Sequence, residues 1–305
     1  MRAISGHWSF IAWILLLVGS GQASGITYSA GIENSQWYNA GSIFECSLTH
    51  PIPGYGNAVF YQRAGESLSF HLDPEYNNMR PGRAALVIEA PAWRGGKPVT
   101  DLGFVDVSDN DDYPIRIPAP PAENMLASLQ QGMAPTFTRR ARFSDDPVRV
   151  RLTHVSFARE YQDFRRCVSG LLPVNFDQVK RTVVLFGLDE RVLSEEDRRE
   201  LDKVALYVQA DDRVQALYVD GHTDRVGRRI YNRILSRDRA EAVTDYLVSQ
   251  GVPAERISTR YHGDRFPVAG DNVPASRHRR ATVRLERIGS ETPPDPADDT
   301  TLTER

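Results

Sequence analysis

The sequence predicts an α+β chain of two domains: an antiparallel β-barrel or sandwich closed by a helix, followed by a β-α-β-α-β-β domain. Three observations carry that expectation. From Gly25 to about Pro147, short segments are punctuated by glycine and proline in the manner of antiparallel β structure. Phe157, Tyr161, Phe164 and Val168 then recur at helical spacing. Beyond Pro173, runs of β-branched residues alternate with amphipathic helical patterns. A length of 305 residues suits about two domains, each with its own core. The formal net charge of −3 gives no general pull towards nucleic acid, so no nucleic-acid partner is expected. Lys97, Lys180 and Lys203 are the only lysines, so arginine supplies nearly all the positive charge, as a GC-rich genome would favour.

The N-terminus reads as an export signal. Arg2 gives a positive flank, Trp8 to Val18 is an apolar run, and Gly21-Gln22-Ala23 places small residues where a signal peptidase needs them. Cleavage is expected after Ala23. The alternative is a membrane anchor, but the run is short for a span of roughly 20 residues, and Gly19 to Gly25 breaks it. The lack of a nearby cysteine argues against a lipid-modified N-terminus. Export places Cys46 and Cys167 in an oxidising compartment, where a disulfide is the expectation and paired free thiols the alternative. A bridge across 121 residues would contribute about 4 to 5 kcal/mol in the chain-entropy model.

In the first domain, residues 24–172, strands are expected at Ala58 to Tyr61, Leu68 to Leu72, Ala84 to Glu89, Phe104 to Val107 and Tyr113 to Ile117. Turn signals separate them at Pro51 to Gly56, Ala64-Gly65, Arg80 to Gly82, Gly95-Gly96 and Asp109 to Asp112. Pro118 to Pro135 reads as an insertion with a short helix at Ala122 to Gln131. Val148, Val150 and Leu152 form a half-buried strand, and the aromatic stripe from Phe157 to Val168 makes the closing helix. Leu171-Leu172-Pro173 ends it.

The second domain, residues 173–287, opens with a strand at Arg181 to Leu185. Ser194 with Asp197 three residues on predicts a capped helix presenting Leu201, Val204, Ala205 and Val208 on one face. A strand at Val214 to Val219 leads into the loop Gly221-His222-Thr223-Asp224. A helix follows, with Leu235, Ala240, Val243 and Leu247 as its apolar face, stopped by Gly251 and Pro253. Ile257 to Tyr261 and Ala281 to Leu285 complete four strands, with both helices on one face of the sheet. Residues 288–305 lack apolar surface and read as a disordered acidic tail.

Three chemistries compete for the loop after Val219. His222 and Asp224, with His262 and Asp264, could ligate a metal, but their spacing matches no metal motif, so no cofactor and no metal are expected. Ser236, His222 and Asp224 could form a hydrolytic set, but there is no G-x-S-x-G elbow. Asp224 and Arg239 could instead receive a zwitterion, the carboxylate taking an ammonium and the guanidinium taking a carboxylate. An internal Asp224 to Arg239 salt bridge is the bland alternative, and the residues alone leave both open.

The run G-H-T-D-x-x-G-x-x-x-Y-N-x-x-L-S-x-x-R-A from Gly221, then G-V-x-x-x-R-I from Gly251 and Y-H-G-D-x-x-P from Tyr261, resembles the OmpA-like C-terminal domain family. That resemblance implies non-covalent binding of peptidoglycan through the diaminopimelate of its stem peptide. It implies Asp224 and Arg239 as the principal contacts, with Thr223, Asn232 and Leu235 shaping the pocket and Arg279 keeping the role of the family's closing N-R-R-V. This sequence departs from the pattern at His278, which replaces the asparagine, and in the shorter loop from Pro267 to Arg277.

Trp37 and the run from Cys46 to Gly56, followed by Ala58 and Phe60, resemble the N-terminal domain of the MotY family of flagellar motor proteins. The resemblance implies a Cys46–Cys167 disulfide and a non-enzymatic structural protein in the periplasm. Such a protein would form a T-ring-type oligomer at the basal body, on the outer-membrane side of the cell wall. Its implied partners are peptidoglycan and basal-body ring proteins, with MotX and the stator B subunit as further candidates. One rival is a general outer-membrane or wall linker with a lipid-embedded barrel, for which the strands are short and proline-interrupted. Another is a wall hydrolase using His50, His71 and Glu66, although scattered histidines in β domains are usually structural.

Overall fold

A computed structural model describes residues 25–91, 99–109, 111–270 and 272–289. The expected signal segment, the turn at Gly95-Gly96 and residues 290–305 of the expected tail lie outside the described residues. No helix among the described residues is long and apolar enough to cross a membrane.

The chain begins with β1 (Ile26–Ser29), β2 (Tyr38–Gly41), β3 (Glu45–Ile52), β4 (Gly56–Arg63), β5 (Ser69–Pro74), β6 (Gly82–Glu89), β7 (Thr100–Val107) and β8 (Ile115–Ile117). After these come α1 (Ala119–Gln130), β9 (Ala134–Arg140), β10 (Pro147–Arg151) and α2 (Phe157–Ser169). Two five-stranded sheets result, in the orders β1-β10-β9-β6-β7 and β2-β3-β4-β5-β8. Every pairing is antiparallel except β1 with β10, so the sandwich departs from the antiparallel expectation at one edge. Alternation drives the inward faces: Cys46, Leu48, His50 and Ile52 of β3 are all buried, and so are Ala84, Leu86 and Ile88 of β6. The sheets therefore enclose an apolar core, whereas a lipid-embedded barrel would turn its apolar faces outwards.

Strands β1, β2, β3 and β9 are additions to the expected set, and prolines hide two of them. Pro51 lies in β3 opposite Asn57 of β4, beyond the last residue that pairs with β2, so the missing N–H breaks no rung on that side. Pro135 likewise lies inside β9. Helix α2 packs by Phe157, whose ring meets Trp37 edge-on at 4.9 Å, and by Phe164. The Cys46–Cys167 disulfide ties α2 to β3 with the Cα atoms 6.0 Å apart.

A second core lies between α3 (Phe176–Val179), β11 (Arg181–Leu185), α4 (Glu195–Ala210), β12 (Val214–His222), α5 (Arg229–Ser249), β13 (Ile257–Tyr261), α6 (Ala275–His278) and β14 (Arg280–Arg287). The sheet order is β11-β14-β12-β13, with β12 and β13 parallel and the other pairs antiparallel. Helix α4 starts on a complete capping box between Ser194 and Asp197, and Glu195, Glu196 and Asp197 suit its positive end. Its Leu201, Val204, Ala205 and Val208 meet Ala240, Val243 and Leu247 of α5 over Leu217, Val219 and Val283. The contacts that pin the two cores together include an Arg63–Asp177 pair at 2.6 Å, a hydrogen bond from Asn175 Nδ2 to Ala64 O, and Phe44 against Tyr207.

Candidate functional site: a notch at the end of β12

Strand β12 runs out at His222 and delivers Thr223 and Asp224 into the loop before α5. The exits of β12 and β13 are tied together, since Thr223 N donates to Gly263 O at 2.8 Å and His262 N to Gly221 O at 3.0 Å. Glycine at 221 is a packing requirement: a Cβ there would stand 1.9 Å from Ser236 O on α5. That close approach is what sets Arg239 against the end of the strand.

Asp224 is buried and its two oxygens have separate tasks. Oδ1 accepts from Val226 N at 3.1 Å and shapes the turn, while Oδ2 accepts from Arg279 Nη1 at 3.1 Å. Asn232 reaches round from α5 to donate to the Asp224 carbonyl at 3.3 Å, which places it behind the loop. Leu235 is buried beneath on the same helix. Thr223 is buried, and its Oγ1 has no hydrogen-bond partner among the described residues. Thr223 and Asp224 line a cavity of about 420 Å³, walled on the far side by Pro267, Val268 and His278. His278 Nδ1 accepts from Val268 N at 3.1 Å, so the histidine that replaces asparagine braces the shortened loop.

Arg239 is 0% exposed and does not line that cavity. Its Nε donates to Glu190 O at 2.8 Å, Nη1 to His222 O at 3.0 Å and Nη2 to Gly187 O at 3.1 Å. The guanidinium also lies 5.1 Å over the ring of Phe186. Burial, with Arg279 adding repulsion, pushes its pKa down to about 10, against the favourable field of Asp224, so it remains a cation at neutral pH. Of the two arginines, Arg279 makes the ion pair with Asp224, and its Nε also donates to Phe186 O. Asp224 and Arg279 meet directly in the notch, Thr223 flanks them, and Arg239 stands behind as a buried brace with two N–H donors unused among the described residues.

The β11–α4 loop, from Phe186 to Glu190, is a part of this site that sequence reasoning did not anticipate. Asp189 in it adopts a left-handed φ of 59° and accepts from the Tyr231 hydroxyl. A second unanticipated group is the network on the helix-free face of the sheet. Asp220 there accepts from Arg260 Nε at 2.7 Å and Arg284 Nη2 at 3.1 Å, with His262 Nε2 at 2.8 Å. Polar residues at alternate positions of β12 and β14 were its signal.

The residues of the competing chemistries are otherwise engaged. Ser236 Oγ donates to Arg233 O and accepts from Gly263 N, both at 2.9 Å. His222 is buried against the His262 ring, and burial, with Arg280 adding to it, pushes its pKa down to about 3. In the first domain His50 stacks on Trp37 at 4.4 Å, His71 stacks on Tyr113 at 3.9 Å, and Glu66 accepts from Asn175 at the junction of the two cores. Among the described residues no group of three metal-ligating side chains is assembled.

Comparison with known proteins places this geometry in a family. Residues 28–173 match the MotY N-terminal domain and residues 185–281 match the OmpA family. The sodium-type flagellar protein MotY of Vibrio parahaemolyticus is 30% identical over 284 residues, covering 90% of this chain and 94% of that protein. The chain belongs to the MotY family. Outer membrane protein A of Klebsiella pneumoniae is 43% identical over 103 residues, which span 33% of this chain and 29% of that protein. Among solved structures, the peptidoglycan-associated lipoprotein of Burkholderia pseudomallei is similar at 26% identity and a TM-score of 0.32, covering 34% of this chain and 89% of that one. The C-terminal domain of Helicobacter pylori MotB is similar at 20% identity and a TM-score of 0.32, covering 35% and 86% respectively. As a MotY-family chain, it joins a MotY N-terminal domain to an OmpA-family domain through the junction at Asp177 and Asn175.

Proposed function

We propose that this MotY-family chain is a non-catalytic, exported component of the flagellar motor that anchors the basal body to peptidoglycan. In this reading the OmpA-family domain holds the diaminopimelate of the stem peptide. The MotY N-terminal domain meets basal-body ring proteins and stator-associated partners in a periplasmic ring. The observation that carries the wall-binding reading is the notch itself: the Asp224 carboxylate and the Arg279 guanidinium meet beside a buried hydroxyl, Thr223 Oγ1, that has no partner among the described residues. Leaving such a hydroxyl unsatisfied costs about 1 to 3 kcal/mol, which a ligand hydrogen bond would offset.

Binding is an exchange of ion pairs. The ligand ammonium takes Asp224 Oδ2 from Arg279, and the ligand carboxylate takes the released Arg279 guanidinium. Because one internal ion pair is given up, a single notch is weak. A ring of subunits raises avidity by roughly 100-fold or more where the geometry permits simultaneous contact. The test is co-sedimentation of the mature chain with purified sacculi. Wild type is expected to pellet and to be released by free diaminopimelate. Asp224→Ala and Arg279→Ala are expected to stay in the supernatant, and pelleting of both like wild type would defeat the proposal.

A further inference from the structure

Five arginines lie on the loops after β12 and β13 and on the first turns of α5, namely Arg225, Arg228, Arg229, Arg233 and Arg265, and Arg225 lines the notch. All five are exposed, and among the described residues none lies within ion-pairing distance of a carboxylate. Arg229 and Arg233 stand one turn apart on the first turns of α5, and with Arg265 they line a small cavity of about 60 Å³. That is room for a carboxylate group or one or two waters. Tyr261 forms one wall, with the Arg233 guanidinium 5.3 Å over its ring. Asp264 lines both this cavity and the notch, so the two adjoin at that residue, and three guanidiniums against one carboxylate leave the small cavity positive.

The start of α5 gives no reason for its cations. Helix α5 has no acidic residue in its first turn and no side-chain cap, and Arg228 and Arg229 stand at its positive end, where cations are destabilising. We infer that Arg229, Arg233 and Arg265 form a second subsite, beside the Asp224 notch, that takes a free carboxylate of the same wall peptide. The inference rests on the wall-binding reading of the notch and deepens it. The stem peptide supplies such a group next to its diaminopimelate, on the α-carboxyl of the γ-linked glutamate. With the diaminopimelate at Asp224 and Arg279, that carboxylate enters the small cavity past Asp264. The subsite therefore distinguishes wall peptides with this carboxyl free from those in which it is amidated.

Calorimetry on the mature chain tests this with three probes. They are diaminopimelate, the tripeptide L-alanyl-γ-D-glutamyl-diaminopimelate, and the same tripeptide amidated at the glutamate α-carboxyl. Wild type is expected to bind the free tripeptide about tenfold more tightly than the amidated one. The Arg229→Ala/Arg233→Ala/Arg265→Ala variant, checked for an unfolding midpoint no lower than wild type, is expected to lose that preference and keep its affinity for diaminopimelate. The subsite is overturned if wild type treats the two tripeptides alike, a result that needs no variant, or if the triple variant keeps the preference. Failure of the notch reading looks different: diaminopimelate gives no heat with wild type, or Asp224→Ala binds it unchanged, and the subsite then falls with the notch.

Discussion

Arg239→Ala is expected to act first on stability, and only through stability on binding. The side chain is fully buried and its guanidinium joins three backbone carbonyls from two separate segments, Gly187 and Glu190 in the β11–α4 loop and His222 at the end of β12. A hydrogen bond from a charged donor is worth about 1.5 to 3 kcal/mol, and the three are not additive. Removing the group also empties the space beneath Phe186 and takes a donor from each of those carbonyls. The expected loss is about 3 to 5 kcal/mol, a large share of the 5 to 15 kcal/mol typical of a domain. Arg239→Lys keeps a charge but cannot span three directions with one ammonium, so about half that loss is expected. Urea unfolding measures both. Circular dichroism follows the whole chain, whereas tryptophan emission of the mature chain comes only from Trp37 and Trp93, both before the second core. The dichroism transition should move and the tryptophan transition should move little. A loss below about 1 kcal/mol for Arg239→Ala would refute the bracing role.

Stability should fall as the pH drops from 8 to 5. Burial, reinforced by Arg116, pushes the His71 pKa down to about 4, and His222 is held at about 3, while both take up protons near 6.5 when unfolded. The unfolded state thus binds protons first, at a cost of about 2 kcal/mol per histidine by pH 5. Urea midpoints at the two pH values should show the drop, and His71→Gln should remove its share of it. Reduction of Cys46–Cys167, or Cys167→Ser, should destabilise the sandwich by about 4 kcal/mol, read as a shift of the tryptophan transition. Gly221→Ala drives a Cβ against Ser236 O, so α5 must retreat from β12; a loss of about 3 kcal/mol is expected by dichroism.

The second domain was largely legible because its signals are local. Ser194 and Asp197 mark the start of α4 where the capping box forms, and β11 and β13 span the residues expected of them. The sandwich was less legible. In β3 the buried positions are Cys46, Leu48, His50 and Ile52, so a histidine stands where alternation looks for an apolar residue, and Pro51 interrupts the run. At the notch, the residue types at 223, 224 and 279 were readable from the motif, whereas the division of labour between the two arginines was not. Arg239 is satisfied by carbonyls of residues 187 and 190, far along the chain, and backbone acceptors leave no mark in residue identity.

The central claim, that the notch holds the zwitterionic end of diaminopimelate, is tested most directly by titrating the mature chain with L-alanyl-γ-D-glutamyl-diaminopimelate and, separately, with L-alanyl-γ-D-glutamyl-L-lysine. With its α-amine in the peptide bond, the lysine residue ends in an ammonium with no carboxylate beside it, so it can engage Asp224 but leaves Arg279 unpaired. Saturable heat with the diaminopimelate peptide, little with the lysine peptide, and loss of the diaminopimelate signal in Asp224→Asn are the predicted results. Equal binding of the two peptides, or an unchanged titration in Asp224→Asn, would contradict it.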